Sequence, residues 1–519
     1  MDRLLTAAVK GRLGLRAARR FAPLAITASF LLLLFSGSLF LLATQLTGLL
    51  QLDDIGYGDS YILYDVQHFQ RTGEVYRDLS QPPYLPAQYS PLVYMMYALP
   101  RLNVFGNPFF GPRLVALTAF LLCVGVVISI VRALVPKRSG WLWGLLLATS
   151  IHPMEQWVLQ IRGDFAAILF TLAAIRLLMA RSPYAVLLAG ACAGFATQFK
   201  FVYLAALLTG SLWLLLQRKW KEFAIFTAAA ALSSGGLYFL FWLREPRMLA
   251  QMLALSPGIP DVLGCLKLVL QALRTPVFLL SLVALPVVVS RMWPRWMLLV
   301  LFVLISFGIS GLAAVQAGGN VNYFFEGLLA MVPFAVLGTR YLLAWTRTST
   351  GLASFLAAVI LIAFLYSDGA SFLRFVRFGP PALAANNARL RKTAAGLQGL
   401  RIFSTVPRMA LLDPHPALME PYLLTYMLRL GKADMGPILN RMHRAEFDIA
   451  ITANDDITWR GVQVIAPQLR RALMAVYKPY CVFSNNIVYL PLARPTDGTM
   501  IQRLRQIGCV PYSPAPSFP

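Results

Sequence analysis

Six acidic residues, Asp53, Asp54, Asp59, Asp65, Glu74 and Asp78, fall within positions 53–78, where Arg71 and Arg77 are the only Lys or Arg. The chain as a whole carries 46 Lys and Arg against 22 acids, a formal net charge of +24, so acid concentrated in one short stretch reads as a site. Clustered carboxylates suit general-base chemistry, in which one of them takes the proton of an attacking hydroxyl. Three further polar clusters interrupt apolar runs: Gln160-Ile161-Arg162-Gly163-Asp164, Lys200 by itself, and Gly318-Gly319-Asn320-Val321-Asn322-Tyr323-Phe324-Phe325-Glu326. An ionisable group facing hydrocarbon costs about 3 kcal/mol at the bilayer centre, so such groups turn toward a polar cavity. Cations there would stabilise charge growing on a phosphate leaving group, as would a metal. Snorkelling of Arg162, Asp164 and Lys200 toward headgroups is the competing reading. His152 and Glu155, three residues apart, either face the same cavity or pair with each other.

The elements that must position these residues are membrane helices. Hydrophobic residues make up 58% of the chain and charged residues only 13%, with a mean hydropathy of +0.64. The expected fold class is therefore an α-helical polytopic membrane protein, its helices satisfying their own backbone groups in lipid. About eleven spans are expected, at 22–50, 114–131, 141–160, 164–180, 184–199, 201–217, 223–243, 276–290, 296–317, 326–345 and 351–366. Lys and Arg mark the cytoplasmic side of short loops. With a cytoplasmic N-terminus, eighteen fall on that side, while Arg162, Lys200, Arg244, Arg247, Lys267 and Arg274 face the other. The acidic loop and all three polar clusters then lie outside together. The long run from Phe21 to Leu50 reads as an anchor rather than a signal peptide. Anionic membrane lipids account for the basic excess, and no motif for nucleic acid is present.

Three regions follow: 1–110, anchor helix and acidic loop; 111–370, the remaining spans; and 371–519, an extracytoplasmic α/β domain. In the last, RIFST (401–405) and FDIAITA (447–453) have strand patterns, with helical patterns near 417–430 and 465–477. Within the loop, Asp65 to Gly73 can form a helix. Tyr84, Tyr89, Tyr94 and Tyr97 suit the membrane interface, and 263–275 reads as an interfacial amphipathic helix. Cys481 and Cys509 either pair, if the tail lies outside, or stay as two buried thiols. No cysteine spacing resembles a zinc site.

The runs Asp59-Ser60-Tyr61, Gly73-Glu74-Val75-Tyr76-Arg77-Asp78, Pro82-Pro83 and Tyr89-Ser90-Pro91-Leu92-Val93-Tyr94 resemble the first outer loop of C-type (GT-C) membrane glycosyltransferases. That group includes the protein O-mannosyltransferase and aminoarabinose transferase relatives (family 39-like). Arg162-Gly163-Asp164, Lys200, the stretch 319–323 and a tail ending Val488-Tyr489-Leu490-Pro491 are similar to further positions of the group. The resemblance implies an enzyme of the cell inner membrane, its N-terminus cytoplasmic, transferring a sugar from a polyprenyl-phosphate donor to a glycan, lipid or protein hydroxyl. It also implies inversion and an outer-loop Asp as base: Asp59 first, then Asp54, then Asp53. Arg162 and Lys200 would meet the donor phosphate, Asp164 would orient the sugar or, with Asp59, a divalent metal such as Mg or Mn, and Asn320, Asn322, Tyr323 and Glu326 would line the pocket. No cofactor is otherwise implied. The chain departs from the group in having Ser60 after Asp59, where many relatives have an Asp-Glu pair. A transporter, flippase or glycan ligase, using the same cavity, is the alternative.

Overall fold

The computed structural model describes residues 2–512 except 105, 136–138, 181, 254–259, 317–318, 349–350, 407, 410–416, 430, 432, 454–457, 460–461, 464, 484–485 and 494–497. Gly318 of the fourth polar cluster lies outside the described residues. Helix α1 spans Asp2–Leu49, and its stretch Leu24–Leu49 has a mean hydropathy of 2.2. Leu32, Phe35, Leu39, Leu42 and Leu46, at helical spacing, are all exposed along one side. A solvated helix would not leave that stripe uncovered, whereas lipid covers it.

The acidic loop follows, with α2 (Asp59–Thr72) and α3 (Pro91–Ala98), and then α4 (Phe110–Leu134). Gly73, at φ 75°, ends α2 in the left-handed conformation that glycine adopts freely. Next come α5 (Gly140–Thr149), α6 (Asp164–Leu178), α7 (Pro183–Phe199), α8 (Ala205–Leu216), α9 (Trp220–Ala231), α10 (Leu237–Arg244), α11 (Arg247–Leu253) and α12 (Val262–Leu273). The bundle closes with α13 (Pro276–Val287), α14 (Trp293–Ala314), α15 (Phe325–Thr348) and α16 (Leu352–Phe378). Among the described residues, six stretches are long and apolar enough to cross a membrane: Leu24–Leu49, Phe110–Leu134, Trp220–Arg244, Pro276–Ala314, Val321–Arg347 and Leu352–Arg377.

Four of the eleven expected spans are not among these: 164–180 and 184–199 form α6 and α7, of 15 and 17 residues, and two others differ more. The one at 141–160 is a ten-residue helix, α5, followed by a single 3-10 turn, His152–Met154, and irregular backbone up to Asp164. Pro153 lacks the N–H an α-helix needs, and irregular backbone survives at membrane depth only when protein covers it. Ile151, Met154, Trp157, Val158, Leu159 and Ile161 are accordingly buried. The span at 201–217 is reduced to α8, whose twelve residues cover only about 18 Å.

The 39-residue stretch Pro276–Ala314 is a folded hairpin. Ser281 donates to the Met331 carbonyl at 3.1 Å, while the Trp296 ring lies 4.8 Å from that of Phe334. A straight helix would hold residues 281 and 296 about 22 Å apart, yet both reach one turn of α15. The chain turns back at Met292 (φ −125°, ψ 7°), ahead of Pro294.

The tail begins with α17 (Pro380–Leu397) and forms a six-stranded sheet ordered β2-β1-β3-β7-β6-β8. These strands are β1 (Ile402–Ser404), β2 (Ala417–Leu418), β3 (Ile449–Ala453), β6 (Tyr477–Phe483), β7 (Asn486–Pro491) and β8 (Val510–Pro511), while β4 (Thr458–Trp459) and β5 (Val462–Gln463) pair separately. β1 runs parallel to β2 and β3, and the remaining pairings are antiparallel. A disulfide joins Cys481 and Cys509, which decides between the two alternatives for those thiols.

Candidate active site

Five of the loop's six acids divide between two jobs, and the sixth, Glu74, is exposed. Asp65 is buried in an ion pair with Arg77, whose guanidinium lies over the Tyr64 ring, and Asp78 faces Arg247 at 3.6 Å. Burial raises the Asp65 carboxyl to about 6 against the pull of Arg77. Glu245, at the end of α10, accepts the Val75 and Tyr76 amides at 2.9 and 2.8 Å. These groups hold the loop on the bundle. The four loop tyrosines do not lie on a headgroup layer: Tyr84, Tyr89, Tyr94 and Tyr97 are all buried. Tyr97 Oη, for one, donates to the Arg162 carbonyl at 2.6 Å.

Asp53, Asp54 and Asp59 form the other group. Asp59 opens α2, where the helix dipole favours a carboxylate, and it is fully buried. Its Oδ2 accepts the amides of Ile55 and Gly56 at 3.2 and 3.3 Å, and its Oδ1 accepts that of Ile161 at 3.3 Å. Burial raises its pKa, and the charges of Arg113 and Arg162 oppose the rise. Asp54, half-buried, accepts the Ser60 amide and hydroxyl at 2.6 and 2.8 Å. Burial first, then the neighbouring charge of Asp59, pushes its carboxyl up to about 8. The charge of each therefore disfavours ionisation of the other. Asp53 faces Arg408 of the tail at 3.4 Å.

Arg113, which the sequence reading passed over, is fully buried near the start of α4. Its guanidinium donates to the carbonyls of Gly48, Gln51 and Asp53, pinning the chain as it enters the loop. Its signal in the sequence was a cation at the mouth of an apolar run.

Asp164, at the start of α6, is the hub of the second half. Its Oδ1 accepts from Lys200 Nζ at 2.7 Å, Asn322 Nδ2 at 2.8 Å and Tyr203 Oη at 3.0 Å, while its Oδ2 is buried with no hydrogen-bond partner among the described residues. The Lys200 ammonium also lies 4.4 Å from the Tyr323 ring centroid. Arg162 stacks 5.1 Å over Trp157 and donates to the Tyr57 carbonyl, joining the Asp164 half to the acidic loop. Glu326 accepts from Ser306 at 2.6 Å and lines a small cavity with Val202, Tyr203, Ile309, Ser310, Ala313 and Tyr323. Asn320 stands apart, exposed, with its side chain capping the turn at Val321. His152 and Glu155 pair at 3.2 Å, and Glu155 also binds Ser371 and Thr44, so this pair fastens α1 and α16 to the irregular segment.

Of the two acids considered for a metal, Asp59 is engaged on both oxygens and Asp164 on one. Asp59 accepts backbone amides with both oxygens, and Lys200 sits on the Asp164 oxygen that also serves Tyr203 and Asn322. Among the described residues, no group of three His, Cys, Asp or Glu is placed to hold an ion.

Over 90% of its length, and 99% of the other chain, the protein superposes on ArnT from Cupriavidus metallidurans bound to undecaprenyl phosphate, at a TM-score of 0.61 and 13% identity. The two chains share one fold. The apo state of ArnT gives 0.57 over 92% of this chain and all of that one, at 14% identity. An Archaeoglobus fulgidus oligosaccharyltransferase in its apo form is more distant, with a TM-score of 0.47 at 10% identity over 89% of this chain and 75% of its own. No protein-family profile and no curated protein matches the sequence. The ArnT likeness spans bundle and tail alike, so the expected fold, membrane helices carrying an α/β tail, is the observed one.

Proposed function

We propose that the chain is a membrane glycosyltransferase that moves a sugar from a polyprenyl-phosphate donor to a glycan, lipid or protein hydroxyl at the extracytoplasmic face, with inversion. One observation carries the reading. Asp59, Arg162, Asp164 and Lys200, distant in sequence, lie together in a fold shared with a chain crystallised on undecaprenyl phosphate. The charge bias of the loops and the Cys481–Cys509 disulfide, a bond of oxidising compartments, support the orientation.

In the proposed reaction the acceptor oxygen attacks the anomeric carbon opposite the phosphate. Its proton passes to Asp59, the bond from C1 to the phosphate oxygen breaks, and the lipid phosphate leaves with the electron pair. Arg162 and Lys200 stabilise the charge on that leaving group. The unpartnered Oδ2 of Asp164 is the acceptor a sugar hydroxyl would satisfy. Asp59 is wholly covered here, so its covering has to open for the acceptor to reach it.

The test is transfer or hydrolysis of radiolabelled sugar from a panel of polyprenyl-phosphate sugars in proteoliposomes. Asp59→Asn is expected to abolish turnover while donor binding persists. Full turnover in Asp59→Asn, Asp54→Asn and Asp53→Asn alike would remove the mechanism, and movement of intact donor across the bilayer without any broken bond would make the chain a carrier.

A further inference from the structure

Residues 51–58 belong to neither a helix nor a strand and include Gly56 and Gly58, so this backbone has little stiffness of its own. Its shape is imposed from outside, and much of what imposes it comes from the tail, more than 300 residues away in sequence. Asn387 of α17 accepts the Leu52 amide at 2.9 Å and donates to the Leu50 carbonyl at 3.0 Å. Arg408 meets Asp53 at 3.4 Å, its guanidinium 5.9 Å from the Phe483 ring centroid. Tyr57 Oη donates to Glu420 Oε1 at 2.6 Å, and Tyr61 Oη to the carbonyls of Thr405 and Met419 at 2.8 and 3.2 Å. Tyr84 exchanges backbone bonds with the chain at Leu418 and Glu420. The contacts at 52, 53, 57 and 61 bracket Asp54 and Asp59. Tyr57 is the junction, because its carbonyl also accepts from Arg162.

We infer that the tail domain is part of the reaction centre, with Arg408 and Glu420 acting as positioning residues that hold the acidic loop, through Asp53 and Tyr57, where Asp59 faces Arg162. The inference rests on the reading of Asp59 as base. Neither tail residue touches the reacting atoms, so each acts on turnover more than on donor affinity.

The experiment uses the full chain in proteoliposomes, with radiolabelled polyprenyl-phosphate sugars as donors and hydrogen exchange of the 52–60 amides as an activity-independent readout. Arg408→Ala and Glu420→Gln are expected to lower kcat roughly tenfold to a hundredfold, the effect of a small misplacement, with donor KM little changed. Exchange across 52–60 should quicken about tenfold while α4 keeps its protection. Arg408→Lys, which retains the charge, should recover most of both. The swapped pair Asp53→Arg with Arg408→Asp should be better protected than either single change. Unchanged exchange and kcat in Arg408→Ala and Glu420→Gln would overturn the inference, as would a fall in donor affinity alone. If Arg408→Ala loses protection in α4 as well, Glu420→Gln and the swapped pair decide. Activity surviving in Asp59→Asn would defeat the base assignment while leaving the exchange result to judge the clamp.

Discussion

Replacing Lys200 by Met separates what the Asp164 hub does for stability from what it does for chemistry. The Asp164 and Lys200 side chains are only 4% and 15% exposed, and they meet at 2.7 Å. Removing one member of a buried pair strands the other charge, at about 3 to 5 kcal/mol. Tyr203 and Asn322 still donate to Asp164 in Lys200→Met, which puts that variant near the low end, about 3 kcal/mol. In Asp164→Asn the ammonium keeps the Tyr323 ring beside it, a cation–π contact of about 1 kcal/mol, so the loss is about 2 kcal/mol. The double variant Asp164→Asn with Lys200→Met buries no charge and leaves the amide oxygen for the same two donors. Its loss should not exceed about 2 kcal/mol, giving a coupling near 3 kcal/mol in the double-mutant cycle. Equilibrium unfolding in mixed micelles measures all four corners. Turnover behaves differently: the double variant regains stability relative to Lys200→Met but lacks the cation proposed to face the leaving phosphate, so it should remain as inactive as Lys200→Met. A double variant less stable than both singles would refute the pairing argument, and one that regained turnover would refute the role given to Lys200.

Asp54 makes stability depend on pH. Its folded value, about 8, lies above the ordinary 3.8, burial being the larger cause, so the stability it contributes is complete below about pH 4 and drains away as pH rises toward 8. Asp54→Asn should therefore gain on the wild type across that window, read as the difference in melting temperature against pH, and a flat difference would count against the assignment. Gly163 lies between Arg162 and Asp164, where an added Cβ would be driven into the Phe199 carbonyl oxygen. Gly163→Ala should cost about 1 to 3 kcal/mol in unfolding experiments and a larger share of turnover, because both neighbours shift with it. Cys481→Ser opens a loop of 28 residues in the tail; calorimetry on the full chain should find the tail transition weakened by about 3 to 4 kcal/mol, and an unchanged transition would mean the bond is not formed.

Much of this arrangement was legible in residue order, because membrane topology limits where polar groups can go. Charge bias put 53–78, 160–164, 200 and 319–326 on one side, and side-chain contacts bring members of all four together. Hydropathy measures the length of an apolar run and says nothing of what covers it, so 141–160 read as one span although Pro153 and Glu155 sit inside it. The tyrosines misled for the same reason: an amphipathic ring suits a lipid interface and a protein interior with a nearby acceptor equally well. Asn320 and Asn322 are indistinguishable by composition, and only the turn at 321–324 sends one outward and the other to Asp164. The tail's grip on 52–61 left no local trace, since its partners lie beyond any window that periodicity can read.

The concentration of acid also has a meaning its count conceals. Asp65 and Asp78 are spent on Arg77 and Arg247 and Glu74 is exposed, which leaves Asp53, Asp54 and Asp59 around the centre. Facing those three are three arginines from separate parts of the chain: Arg113 from the bundle, Arg162 from the irregular segment and Arg408 from the tail. The local balance is therefore close to neutral. An anionic lipid phosphate would meet no net repulsion from the loop, and Lys200 adds to its attraction. Because each arginine comes from a different element, the balance exists only when anchor loop, bundle and tail are docked together. Loss of Arg113 or Arg162 would remove a charge that holds down the Asp59 carboxyl, and its pKa would rise further. Charge neutrality at this point is thus a consequence of assembly: Arg408 of the tail answers Asp53, while Arg113 and Arg162 act on Asp59.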